Sequence, residues 1–254
     1  MTATASAALI LAVMVAAYVL ARALKISTEL ALFAAALAGA LAGGAGVPAR
    51  QIVEGAFTYF DIVLIFVMAT LFMNLLKESG GAAFAVRAVL RRFHRRKGLL
   101  LALLALLLLV PGALTGAGSV TVLILGGMVA TVLGTMDIPK PKVAAIIFLI
   151  AGLSAAAPPI NLWAMLTAAG VNMPYVGFFL PLLVPCVLLA LVTMFLLGRK
   201  SKAVDLVRAL RELPEAPPVM NWFRVGTPFV VFLGLLLAGR LFPFSFPILG
   251  LPLM

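Results

Sequence analysis

The chain has 254 residues, of which 65% are hydrophobic and 11% charged, and its mean hydropathy is +1.24. A soluble domain carries about twice that charged fraction, which excludes a water-soluble globular protein. The formal net charge of +11 does not mark a nucleic-acid-binding face, because the 19 Lys and Arg residues occupy short segments flanking apolar runs and no polar domain gathers them on one surface.

The first apolar run, Ala7–Ala21, lacks the basic start and cleavage site of a secretory signal. It predicts a retained helix running from an external N-terminus inward to Arg22 and Lys25. Thr28–Leu41 leads outward, Arg50 and Glu54 fall in an external loop, and Asp61–Leu76 returns. Asp61 is a candidate for a substrate or ion path, since an ionisable residue in a membrane segment is functional by default. The plainer alternative is an interfacial residue at the run's outer edge. In Gly81–Lys97, Phe84, Val86, Val89, Leu90 and Phe93 alternate with arginines, which predicts an amphipathic helix along the inner leaflet. His94, in RRFHRRK, is one more basic residue at a membrane surface, and Arg91–Lys97 serves as a topology signal facing anionic headgroups.

Two long stretches carry no charge. Gly98–Met136 has 39 residues, about 58 Å as one straight helix against a hydrocarbon core of about 30 Å. It must double back, and the turn belongs at PGALTGAGS. Basic residues at both flanks, Arg91–Lys97 and Lys140 with Lys142, put both ends in the cytoplasm. Val143–Gly198 has 56 residues and holds two crossings. The outward one, about 143–170, is interrupted at SAAAPPIN, residues 154–161. The link VNMPY is external, and Val176–Gly198, with Pro181 and Pro185 as expected kinks, returns to RKSKAVDLVRALREL. Cys186 lies within this run, so disulfides play no part.

LARALKISTELAL, Leu20–Leu32, aligns without gaps with AGRLFPFSFPILG, Ala238–Gly250, placing Arg22 on Arg240 and Ser27 on Ser245. An odd number of crossings between the two would invert the second copy, a plan common among secondary transporters. The expectation is therefore an all-α polytopic membrane protein, half of an inverted-repeat secondary transporter with a re-entrant hairpin (about 98–136) and a broken helix (about 143–170). Residues 1–200 form the first repeat, 201–223 a cytoplasmic amphipathic linker, and 224–254 the start of a truncated second repeat. The alternative is a complete short protein with a hydrophobic tail.

Non-helical backbone at membrane depth persists only where protein buries it or a polar cavity solvates it. Pro158 and Pro159 remove two N–H donors and free carbonyls on the preceding turn, while Gly116 and Gly118 permit a tight turn. Freed carbonyls, the hydroxyls of Thr115 and Ser119, and the Asn161 side-chain oxygen are hard neutral ligands suited to Na⁺. Close helix packing by small residues is the rival explanation of both breaks. Trp163, just after the Pro-Pro break, is a candidate for a substrate path or a packing residue. No phosphate-loop, nucleophile-triad or metal-cluster motif is present, so no enzymatic activity is expected.

Three segments carry a resemblance: FTYFDIVLIFVMATLFMNLLKESGG, TGAGSVTVLILGGMV and AAAPPINLWAM. In this order they resemble the large membrane (permease) subunit of tripartite ATP-independent periplasmic (TRAP) transporters, within the ion-transporter superfamily, over roughly residues 1–200. The resemblance implies symport of Na⁺, with no organic cofactor, and uptake of a small organic acid such as a C4-dicarboxylate or sugar acid by elevator movement. It implies an extracytoplasmic solute-binding protein and a small four-helix membrane subunit as partners, in the bacterial inner membrane. Carried over by position, the ion site takes Thr115, Gly116, Gly118 and Ser119 from the tip and Ala156, Pro158, Pro159 and Asn161 from the break. Gly118 precedes a single Ser119 where the family carries paired serines, which removes one hydroxyl ligand. Other superfamily carriers (an independent anion symporter or a Na⁺/H⁺ antiporter) and a non-transporting scaffold are the alternatives.

Overall fold

The computed structural model describes residues 3–241, and among these every regular element is a helix. The expected match of Ser245 to Ser27, and the segment ILGLPLM, lie outside the described residues. Among the described residues five helices are long and apolar enough to cross a membrane, Ala5–Ala23, Phe60–Glu78, Lys97–Thr115, Gly118–Thr135 and Phe179–Gly198. With its apolar side chains exposed in large number, the chain is an α-helical, multi-pass membrane protein.

The chain divides into two compact units, Met1–Phe60 and Asp61–Met254. In the first, α1 (Ala3–Ala23) and α2 (Thr28–Ala42) pack side by side. Ser27 caps α2, its hydroxyl accepting from the Leu30 N–H. The buried face of α2 reads Ala31, Ala35, Gly39, a small-residue stripe that lets helix backbones approach without help from water. Residues 49–58, expected as a loop, form a short amphipathic helix, α3 (Ala49–Thr58). There Arg50 and Glu54 pair with each other at 2.7 Å, one turn apart.

The second unit runs α4 (Phe60–Glu78), α5 (Gly81–Phe93), α6 (Lys97–Thr115), α7 (Gly118–Thr121), a π-helical turn (Val122–Gly126), α8 (Gly127–Thr135), α9 (Lys140–Ala156), α10 (Leu162–Gly170), a 3-10 turn (Tyr175–Phe178), α11 (Phe179–Gly198), α12 (Leu206–Glu212) and α13 (Trp222–Leu241). Here α6 is the axis. Leu100, Leu101, Leu104, Ala105 and Leu108 are fully covered by α5, α9, α11 and the returning arm α7–α8. Pro181 falls in the first turn of α11, where its missing N–H has no helical acceptor to lose. Only Pro185 sits in the helix interior.

The amphipathic helix α5 differs from expectation. Its apolar side, Ala82, Val86, Val89 and Leu90, is buried in the protein core against α6 rather than turned to lipid. An apolar stripe only has to leave water, and a neighbouring helix satisfies it as well as an acyl chain does. Arg87 on this helix donates to the carbonyls of Leu210, Leu213 and Pro214 at 2.9–3.2 Å, capping the end of α12. The linker is thereby tied down, although within 201–223 only 206–212 and the first two residues of α13 are helical.

One end of the bundle gathers three chain reversals. The Lys97 ammonium donates to the carbonyls of Arg199, at 2.9 Å, and Ser201. The Lys202 N–H donates to the Met136 carbonyl at 2.9 Å, and its ammonium meets Asp137 at 2.6 Å. The start of α6, the α8–α9 turn and the end of α11 therefore share one end. The α6–α7 turn is at the other.

Candidate functional site

The hairpin turn and the Pro-Pro break meet. Helix α6 stops at Thr115 because Gly116 adopts a left-handed φ of +67°, which costs glycine little and other residues more. The Gly116 N–H closes the last turn on the Gly112 carbonyl at 2.6 Å, and the chain turns through extended Ala117 into the returning arm. Opposite it, α9 stops at Ala156 because Pro158 and Pro159 have no N–H to offer the Ser154 and Ala155 carbonyls. The Ala157 N–H serves Ser154 instead, at 3.3 Å. The Ile160 N–H then donates to the Ala113 carbonyl at 2.9 Å, tying break to hairpin.

Three glycines allow this approach. A Cβ on Gly116 would stand 2.9 Å from Leu162 Cβ and 3.1 Å from the Ile160 carbonyl oxygen. One on Gly118 would overlap the Ala151 carbonyl, and one on Gly112 the Ser154 side chain. At Gly112 and Gly118 the hairpin lies nearly against the backbone of α9, and at Gly116 against the break and the start of α10.

Asn161, 5% exposed, bridges the break. Its Oδ1 accepts from the Ala164 N–H at 3.0 Å, capping α10, and its Nδ2 donates to the Ala156 carbonyl at 2.8 Å, capping α9. Its own N–H donates to the Tyr175 hydroxyl at 3.3 Å. Thr115 is fully buried and its hydroxyl donates to the Pro111 carbonyl at 2.8 Å. Pro158 is buried, Ala156 half-buried and Pro159 exposed. The exposed Ser119 and the half-buried Gly118 border an open groove of about 670 Å³ between the returning arm, α9 and α11, which Gly152, Ala155 and Thr193 also line.

Two buried hydroxyls lie outside the set expected from sequence. Ser154 donates to the Ala151 carbonyl at 2.7 Å, so the Thr121 hydroxyl donates to Ser154 Oγ at 2.8 Å while its own oxygen accepts from the Gly112 N–H at 2.9 Å. This chain joins α6, the returning arm and α9 across the interior. A signal for Ser154 was present: the buried face of α9 reads Val143, Ile146, Ile150, Ser154, a helical period that turns the hydroxyl inward.

Trp163 and Asp61 take no part in these hydrogen bonds. Trp163 is 68% exposed and faces away from the interior. Asp61 is exposed in the first turn of α4, where a carboxylate complements the helix dipole.

Electrostatically, the junction collects the C-terminal ends of α6 and α9 and the N-terminal ends of α10 and the returning arm. Each helix end carries a partial charge of about half a unit. With no ionisable side chain in 98–136 or 143–198 apart from Tyr175 and Cys186, these dipoles and neutral oxygens dominate the local field. The residues present fit a hard monovalent cation. The Ala155 carbonyl lacks its α-helical donor because residue 159 is proline, and Asn161 Oδ1 and Thr115 Oγ1 each keep acceptor capacity. Comparison with protein-family models, with curated proteins and with solved structures finds no match to this chain.

Proposed function

We propose that this chain is the membrane-embedded translocating subunit of a Na⁺-coupled secondary transporter of TRAP type, with the coupling ion held where hairpin tip and helix break meet. The observation that carries the proposal is that junction: four helix ends meeting in a segment without charged side chains, joined by the Ile160-to-Ala113 hydrogen bond. Broken helices facing one another are how secondary transporters build ion and substrate sites near the bilayer midplane.

The ligands would come from Thr115, Ser119 and Asn161 and from backbone oxygens near Ala156, exposed by Gly116, Gly118, Pro158 and Pro159. Bound there, Na⁺ supplies the electrochemical drive. The chain's own part is to hold a dry set of neutral oxygens whose grip is weak enough to release. Depth favours a re-entrant hairpin: the 17 residues of α9 rise about 25 Å, and α10 continues for nine more residues beyond the break. On this reading the tip beside that break would stop short of the far surface. The transported solute would be a small organic acid, a C4-dicarboxylate or sugar acid, delivered by an extracytoplasmic solute-binding protein and carried with a four-helix partner subunit in the bacterial inner membrane. The N-terminus would be external.

A second reading has its own observation. Gly112, Gly116 and Gly118 each have a close backbone or side-chain neighbour, so a scaffold packed tightly without any ion would also need them. Thermal unfolding in nanodiscs, with Na⁺ against K⁺ at constant ionic strength, separates the two. Transport predicts stabilisation by Na⁺ alone that is weakened in Ser119→Ala, whereas the scaffold predicts identical melting in both salts.

A further inference from the structure

Three basic stretches, 91–97, 140–142 and 199–202, hold ten of the chain's 19 Lys and Arg residues. They are far apart in sequence, but the Lys97 contacts to Arg199 and Ser201 and the Lys202 contacts to Met136 and Asp137 bring them to one end of the bundle. Arg95, Arg96, Lys140, Lys142, Arg199 and Lys200 are exposed, and among the described residues none of them forms an ion pair. Asp137 is engaged by Lys202, and Glu212 on the nearby linker by Arg208. The surplus of positive charge is therefore uncompensated by the protein.

We propose that this end is a binding surface for the phosphate headgroups of anionic phospholipids. Guanidinium groups match phosphate oxygens with two parallel donors, and ammonium groups add point charge. What selects a lipid over a free anion is the apolar wall directly beside the charges. Leu188, Val192 and Phe195 are exposed along one face of α11 in line with Arg199, and Phe195 lies beside Gly98 at the start of α6. A headgroup on Arg199 and Lys200, with Arg95 and Arg96 at the same end, thus has its acyl chain running down this face of α11. A juxtamembrane basic cluster of this kind attracts anionic leaflets at short range, and here it also holds the linker through Lys97 and Lys202. A bound lipid would brace the base of the hairpin.

The test is thermal unfolding of the full chain in neutral detergent, titrated separately with phosphatidylglycerol, phosphatidylcholine, inorganic phosphate and a short RNA. The expected result is stabilisation by phosphatidylglycerol alone, reduced as salt shortens the electrostatic range, with the lipid retained in native mass spectra. Lys140→Gln with Lys142→Gln should lower the lipid-induced shift, and adding Arg95→Gln with Arg96→Gln should remove it, while melting in phosphatidylcholine stays that of the native chain. Equal gain from phosphatidylcholine, gain from inorganic phosphate or RNA, or no gain at all in the native chain overturns the proposal. That arm requires no variant to fold.

Discussion

Gly112, Gly116 and Gly118 differ from Gly152 in what stands opposite them, although all four lie in the same charge-free part of the chain. Gly116→Ala adds strain at a left-handed φ to a contact with Leu162, and Gly118→Ala drives a methyl into the Ala151 backbone. Each should lower stability by about 1–3 kcal/mol. Gly152 has nothing within 4 Å of a Cβ, so Gly152→Ala should be neutral or mildly stabilising, as helix propensity favours alanine. Comparative thermal unfolding checks the ranking, and equal melting of all three variants would contradict the packing described. The Thr121–Ser154 chain makes a second prediction. Thr121→Val deprives both Gly112 N–H and Ser154 Oγ of a partner in a water-free interior and should cost about 1–3 kcal/mol. The double variant with Ser154→Ala should cost less than the sum of the single changes, because the two hydroxyls share one bond.

At the scale of elements, much was legible and the reasons are local. Charged flanks, the glycines of the turn and the two prolines punctuate the chain, so the end of α6 falls within PGALTGAGS and the interruption between α9 and α10 within SAAAPPIN. The two breaks touch because of long-range packing, which no local pattern encodes; only the resemblance drew both into one site. The environment of α5 was hidden for a related reason: its periodicity reveals a buried face but not whether lipid or protein buries it. Trp163 shows the converse limit, since adjacency to the break along the chain said nothing of which way α10 would turn it. Arg87 ties α5 to α12 through three carbonyls, and Arg87→Met should loosen α12. Hydrogen exchange should then quicken over 206–213 with α6 unchanged. The Asp137–Lys202 pair is exposed and correspondingly weak. Its lysine, by hydrogen bond and charge, holds the Asp137 carboxyl below the usual carboxylate range. The pair's contribution is therefore present above the ordinary carboxylate pKa of about 4 and is lost as pH falls through the lower folded value. Asp137→Asn should differ slightly from the native chain at neutral pH in low salt and match it in strong acid.

For the whole molecule, the shared end of α6, α8, α9 and α11 carries the basic residues, and the positive-inside bias leads to the prediction that this end is cytoplasmic. A cysteine introduced at Lys142 should be labelled from the cytoplasmic side alone and one at Thr2 from the external side alone; the reverse pattern at Lys142 would invert the bundle. On the function proposed, the tip of one hairpin and the break of one helix make a cation site without any charged side chain. Saturable binding of radiolabelled sodium to the purified chain in nanodiscs tests it most directly, with potassium and lithium as competitors and Ser119→Ala beside the native protein. The expected result is a saturable site that potassium does not empty and that Ser119→Ala weakens while the fold melts normally. Sodium binding that does not saturate, or that potassium displaces equally in native and variant, would contradict it and leave the junction as packing alone.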